Sequence, residues 1–142
     1  MAKKIAVGFD GSDGSWRALK EAARLAVLEQ ASLYIVSIEE IPRYPGTVGE
    51  VMEEQETCET HLHKLHKEAT DITSLAGLPA ENTKTHIKIG HPAKSLVEYV
   101  SEIGADLLIL GHSGHSGVWG TFLGTTAEKV IRHVPCSVYV VR

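Results

Sequence analysis

The chain has 142 residues, of which 43% are hydrophobic, and its 14 basic and 18 acidic side chains give a formal net charge of −4. This length and composition predict one domain, residues 1–142, whose core needs neither metals nor disulfides. The acidic balance offers no basic excess to a phosphate backbone, and no apolar stretch approaches the roughly 18 residues of a membrane-spanning helix, so neither nucleic acid nor membrane is an expected partner.

The first half of the chain alternates strand and helix patterns. Lys4 to Phe9 is a short apolar run that predicts a buried strand. From Trp16 to about Gln30, apolar residues recur at helical spacing. Ser32 to Ile38 is rich in β-forming residues and predicts the second strand. A surface loop containing Pro and Gly is expected at 41–49, and a second helix from about Glu50.

The second half continues the alternation. Thr83 to Ile89 predicts a third strand, and Pro92 is well placed as the first residue of a third helix. Asp106 to Leu110 predicts a strand whose apolar run from Leu107 is typical of a central parallel strand. Thr125 to His133 predicts the last helix, and Ser137 to Val141 the fifth strand. This order predicts an α/β fold with right-handed crossovers and a doubly wound, five-stranded parallel sheet.

The cysteines and histidines of the chain include possible metal ligands. Cys58 and Cys136 are far apart and form no C-x-x-C pattern, so we expect small core residues in a reducing, cytoplasmic compartment. Cys58, His61, His63 and His66 lie within one predicted helix, but His63 points away from the face of Cys58 and His61. A solvent-exposed helix face is therefore expected, with a metal site shared across a dimer as the alternative.

Two segments lie where a doubly wound sheet binds its ligands, at the carboxyl ends of the strands beside the reversal of winding. They are residues 8–12, after the first strand, and 111–114, after the fourth. Neither contains the dinucleotide-binding or P-loop motif. Gly111 and Gly114 are followed after nine residues by Gly124-Thr125. Such glycines expose backbone N–H groups, and a helix N-terminus favours an anion, so this spacing predicts a phosphate cradle. The alternative is a flexible loop without a ligand.

This glycine spacing resembles the ATP-binding signature of the universal stress protein family. Residues 7–12, the Gly90-His91-Pro92 turn and the closing segment 130–142 are also similar to that family, so the resemblance covers nearly the whole chain. It implies the strand order 3-2-1-4-5 and membership of the signature-bearing group, whose members bind ATP.

The resemblance also assigns site residues. Asp10 matches the family's acidic residue beside the adenosine, Gly8 stands where many members have proline, and the backbone of Ile38 matches the group that contacts the adenine edge. The glycines and Thr125 match the ribose and phosphate cradle, and His115 falls where a basic or polar side chain is common. The complete set of assigned residues is Gly8, Asp10, Ile38, Leu110, Gly111, Gly114, His115, Gly124, Thr125 and Thr126.

The implied cofactor is ATP with Mg²⁺, or Mn²⁺ in its place, with the metal held mainly through the phosphates. The implied assembly is a homodimer. The final strand, residues 138–141, is apolar on both faces, although the family's strand order places it at the sheet edge. Pairing with the same strand of a second copy would cover that edge.

Enzymatic alternatives have less support in the sequence. Ser116 lies in Gly-His-Ser-Gly, which is one residue short of a nucleophile elbow. Gly90-His91 lacks the first His or Thr of a nucleotidyl-transfer motif, because Lys88 takes that place. Asp13, Glu39 and Glu40 could act as general bases, but no residue is identifiable that positions water against a γ-phosphate, so ATP hydrolysis is expected to be slow at most. The hypotheses are a nucleotide-dependent regulatory module, a slow ATP hydrolase and a nucleotide-free structural dimer.

Overall fold

The computed structural model describes residues 3–40, 48–112 and 125–142, with side chains throughout except at 48–59 and 125. Strands and helices alternate along the chain. The elements in order are β1 (Lys4–Gly8), α1 (Asp13–Glu29), β2 (Ser32–Glu39), α2 (Val48–Leu75), a 3-10 turn (Ala80–Asn82), β3 (Thr83–Ile89), α3 (Pro92–Ile103), β4 (Leu107–Gly111), α4 (Thr125–His133) and β5 (Ser137–Val141).

The five strands form one parallel sheet in the order β3-β2-β1-β4-β5. The predicted fold class and strand order are therefore confirmed. From β1 the chain winds outward through β2 to β3, then crosses back to β4 on the other side of β1. Winding reverses between β1 and β4, which makes the carboxyl ends of these two strands the topological switch point.

Each face of the sheet packs against two helices, because central strands with apolar residues on both faces must be covered on both. One face contributes Ile5, Val7, Leu33 and Ile35 to a core with Leu19 and Ala22 of α1 and Ala69 of α2. The other contributes Ala6, Val36 and Leu108 to a core with Leu96 and Val100 of α3 and Val130 of α4.

Helix α1 begins at Asp13, three residues before the predicted start at Trp16. The cause is a local cap formed by the polar residues between β1 and α1. The hydroxyl of Ser12 accepts a hydrogen bond from the Ser15 N–H at 3.3 Å, and the Asp10 carboxylate accepts one from the Ser12 N–H at 2.9 Å. These bonds satisfy amides at the start of the helix and extend it toward β1.

Helix α4 spans Thr125–His133, as predicted. The Glu128 carboxylate accepts a hydrogen bond from Arg132 at 3.2 Å, one turn along the helix. This i,i+4 ion pair lies on the exposed face of the helix.

Cys136 is half-buried against the core beneath α3 and α4, and burial raises the pKa of its thiol. This partly agrees with the expected core role, whereas the side chain of Cys58 lies outside the described residues. Across residues 3–40, 48–112 and 125–142, no helix combines the length and apolar character needed to cross a membrane.

Candidate functional site

Strand β1 is shorter at its carboxyl end than the strands on either side of it. Its last residue, Gly8, pairs with Val36 of β2, and β2 continues to Glu39. On the other side, Val7 pairs with Ile109, and β4 continues to Gly111. A crevice therefore opens beyond Gly8, bordered by the projecting ends of β2 and β4.

The peptide groups of Ile38 face this crevice. Phe9 N–H donates to Val36 O at 2.9 Å, so the polar groups of Val36 point toward β1, whereas Gly90 N–H donates to Glu39 O at 2.9 Å on the β3 side. Backbone polar groups alternate sides along a strand, so the N–H and C=O of Ile38 point the same way as those of Val36. Since β1 has ended at Gly8, Ile38 presents one donor and one acceptor to the space beyond it.

Gly111 forms the opposite border and packs closely against α1. A Cβ at this position would lie 2.5 Å from Gly14 C and 3.0 Å from Ser15 N, so a larger residue would meet main chain. The next amide, His112 N–H, donates to Val141 O on the β5 side. By the same alternation, the peptide groups of Gly111 point toward β1 and the crevice.

Gly8 and Asp10 lie at the closed end and the mouth of the crevice. A Cβ on Gly8 would lie 2.9 Å from Leu110 Cδ2, so this glycine brings β1 close to the buried side chain of Leu110. Asp10 is exposed, and its carboxylate closes the turn before α1 by accepting from Ser12 N–H. Gly8, Ile38, Leu110 and Gly111 therefore come together from three strands, and Asp10 lies in the turn that follows β1.

The remaining assigned residues belong to the predicted phosphate cradle. Gly114, His115 and Gly124 lie outside the described residues. Thr125 is the first residue of α4, and Thr126 is exposed in its first turn. The cradle therefore stays a prediction from the glycine spacing.

A buried hydrogen-bonded pair lies next to the crevice and was missed by the sequence interpretation. Ser37 Oγ donates to Phe9 O at 2.5 Å and lies 2.6 Å from Nε2 of His66 on α2. His66 is only 5% exposed, so its predicted place on a solvent-exposed helix face is wrong. Burial lowers the pKa of His66 to about 4, and the nearby His63 and His86 add to this shift.

The sequence did contain a signal for this pair. Strand alternation places Ser37 on the same face as Leu33 and Ile35, which are buried beneath the helices. On α2, His66 follows the buried Leu62 by four residues, so helical periodicity places it on the same stripe. His61 and His63 are exposed, and the described residues contain no group of three or more potential metal ligands.

Glu39, at the end of β2, is a buried acid. It is 3% exposed, and neither carboxylate oxygen has a hydrogen-bond partner among the described residues. Burying a carboxylate without a partner is unfavourable. Glu40, the other candidate general base on this segment, is exposed.

Comparisons with known proteins point to one family. The model of the "Universal stress protein family" matches residues 1–142. A universal stress protein of Thermus aquaticus is 32% identical over 143 residues, with 100% of both chains covered. The structure of universal stress protein UspA from Lactobacillus plantarum superimposes with a TM-score of 0.89 at 26% identity, covering 99% of this chain and 97% of that one. A universal stress protein crystallised in complex with cAMP has a TM-score of 0.69 at 28% identity, covering 99% and 97%.

Proposed function

This chain belongs to the universal stress protein family, and from that membership we propose that it binds ATP with Mg²⁺ in the crevice beyond β1. In this proposal the protein is a cytoplasmic homodimer, and nucleotide occupancy acts as a regulatory signal in a stress response. Its role is to bind the nucleotide, with hydrolysis slow at most.

The orientation of Ile38 carries the proposal. Its N–H and C=O point into the crevice, and the Watson–Crick edge of adenine offers the complementary pair, the N1 acceptor and an amino donor. Backbone groups fixed in a sheet can distinguish adenine from a base with the reverse pattern, because a mismatched base leaves them unpaired. A related protein in complex with cAMP, which also carries adenine, gives independent support.

The described residues fit the nucleoside end of this ligand. Gly111 allows the start of α1 to pack against the border of the crevice, and Asp10 at the mouth offers a carboxylate that can accept hydrogen bonds from ribose hydroxyls. The phosphates would extend toward Gly114, Gly124 and the N-terminus of α4. Mg²⁺, or Mn²⁺, would bind to phosphate oxygens, which are ligands that hard cations prefer, and would offset their negative charge.

Thermal unfolding with and without ATP and Mg²⁺ tests the proposal. Ligand at 100 times its Kd stabilises a fold by about 2.7 kcal/mol, so we expect Tm to rise by several degrees. Gly114→Val should remove that rise because a β-branched side chain would fill the predicted cradle. Gly117→Val, a change in the same stretch but outside the glycine signature, is the matched control.

Two results would favour a different function for this protein. An unchanged Tm of the wild-type protein in millimolar ATP and Mg²⁺ would favour a nucleotide-free structural dimer. Phosphate release over several turnovers per site, lost in Gly114→Val, would favour a slow ATP hydrolase.

A further inference from the structure

The hydrogen-bond ladder between β1 and β2 is interrupted at the crevice. Gly8 pairs with Val36, so a regular continuation would pair Phe9 with Ser37 and direct Ile38 N–H to Phe9 O. Among the hydrogen bonds between described residues, that ladder bond is absent. Phe9 O instead accepts from the Ser37 hydroxyl at 2.5 Å. A side chain has taken the acceptor that the neighbouring amide would use.

His66 fixes the direction of this interaction. A hydroxyl has one proton, and that of Ser37 is used on Phe9 O, so Ser37 Oγ accepts from His66 Nε2–H across 2.6 Å. Ser37 is 1% exposed, and the His66 ring lies 6.2 Å from the Phe9 ring. Both partners are thus held in place by burial, with water excluded as a competing donor.

From this arrangement we propose that Ser37, oriented by His66, is a positioning residue that keeps the Ile38 amide available to the adenine base. This inference rests on the proposed function and extends it to residues that do not themselves touch the nucleotide. Helix α2 is thereby connected to base recognition through one side chain.

Removing the Ser37 hydroxyl should allow the regular hydrogen bond between Ile38 N–H and Phe9 O to form. In Ser37→Ala, Phe9 O loses its donor, and buried carbonyls are rarely left unpaired. Ile38 N–H is the donor that regular strand geometry brings to it. The variant should therefore form the missing ladder bond and withdraw the donor that would meet adenine N1.

Amide hydrogen exchange of the nucleotide-free protein tests this geometry without any ligand. We expect Ile38 to exchange rapidly in the wild-type protein and at least about tenfold more slowly in Ser37→Ala, because hydrogen-bonded amides are protected. Thr73→Val is the matched control, since it removes another buried hydroxyl, which donates to Thr70 O within α2. That control should leave Ile38 exchange unchanged.

Nucleotide binding then tests the consequence. Ser37→Ala should weaken ATP binding and reduce the preference for ATP over inosine triphosphate, each roughly three- to tenfold, as expected for one lost hydrogen bond. His66→Leu should also weaken ATP binding and reduce the preference for ATP over inosine triphosphate. His66→Gln, whose amide can still donate to Ser37, should restore much of the preference.

The two measurements separate the possible failures. A wild-type Ile38 amide that is already protected, or one unaffected by Ser37→Ala, would overturn the positioning role even if ATP binds normally. A wild-type protein that binds no nucleotide would overturn both the proposed function and this extension of it. Unchanged base preference in a folded Ser37→Ala variant would also overturn the positioning role.

Discussion

At the scale of single residues, two glycines at strand ends have different neighbours and should tolerate change differently. A Cβ on Gly111 would lie 2.5 Å from main chain of Gly14, whereas a Cβ on Gly8 would lie 2.9 Å from the end of the Leu110 side chain. Side chains can rotate away, but packed main chain must shift. Gly111→Ala should therefore destabilise the fold by about 3 kcal/mol or more, and Gly8→Ala by less than about 1.5 kcal/mol.

Urea unfolding of the two variants checks this ranking, because the midpoint changes measure the two free energies under one protocol. Equal destabilisation would show that the β4 end can move away from α1. The crevice border would then be adjustable, which the close contact between Gly111 and Gly14 argues against.

The buried side chain of Glu39 should be replaceable by an apolar one. Its two carboxylate oxygens are buried without a partner among the described residues, so an apolar side chain of similar length should fit better. Glu39→Met should raise the free energy of unfolding at pH 7 by about 1–3 kcal/mol. The exposed neighbour provides the control, since Glu40→Met should change stability by less than about 0.5 kcal/mol. Destabilisation in chemical unfolding would show that the Glu39 carboxylate makes a favourable interaction in the fold.

At the scale of elements, His66 makes the packing of α2 on β2 sensitive to acid. Its pKa is about 4 in the fold and 6.5 ordinarily, so the unfolded chain binds the proton more tightly. The contribution of the neutral histidine to the free energy of unfolding is fully present above pH 6.5 and is lost as the pH falls toward 4. The shift corresponds to a loss of about 3 kcal/mol. His63 and His86 oppose protonation in the same way.

Unfolding free energies at pH 7 and pH 4 measure this effect. His66→Gln keeps an amide donor but does not titrate, so it should lose less stability than the wild-type protein over that interval. The difference between the two proteins isolates His66 from the carboxylates that also titrate there. Identical losses would show that His66 does not titrate as its burial implies.

Most elements could be predicted because periodicity reflects which faces are buried. β3, α4 and β5 have their predicted bounds. The early start of α1 could not be obtained from apolar spacing, because it depends on hydrogen bonds from Ser12 and Asp10. A histidine in a helix is usually exposed, and the partner that allows the burial of His66, Ser37, lies on another element.

At the scale of the whole molecule, the order of the strands brings together groups that are distant in sequence. Ile38 and Gly111 are on different sides of β1, and both peptides point into the same crevice because β1 ends first. The strand order, and with it the topological switch point where the candidate site lies, could be predicted. The Ser37 contact with Phe9 could not be predicted, because it depends on the register of two strands and a side chain from α2.

The predicted dimer depends on the exposed edge of the sheet. β5 is an edge strand, and Tyr139 on it is 38% exposed. Val141 O accepts from His112 on the β4 side, so alternation directs the N–H of Val140 outward. Val140→Pro should therefore break pairing with a second copy while sparing the bonds to β4, because proline lacks only that outward donor.

Sedimentation or light scattering would check the assembly. We expect a dimeric wild-type protein, a monomeric Val140→Pro variant and a dimeric Val140→Thr control, which keeps the N–H. A dimer that persists in Val140→Pro would place the interface elsewhere.

In the proposed function, adenine binds at the backbone edge between β2 and β4. An amide chemical-shift titration of the wild-type protein with ATP and Mg²⁺ reports on this contact residue by residue. We predict saturable shifts at Ile38 and Gly111, with little change at Thr85 on the edge strand β3. Shifts confined to other surfaces, or none at millimolar ATP, would contradict adenine binding at this edge.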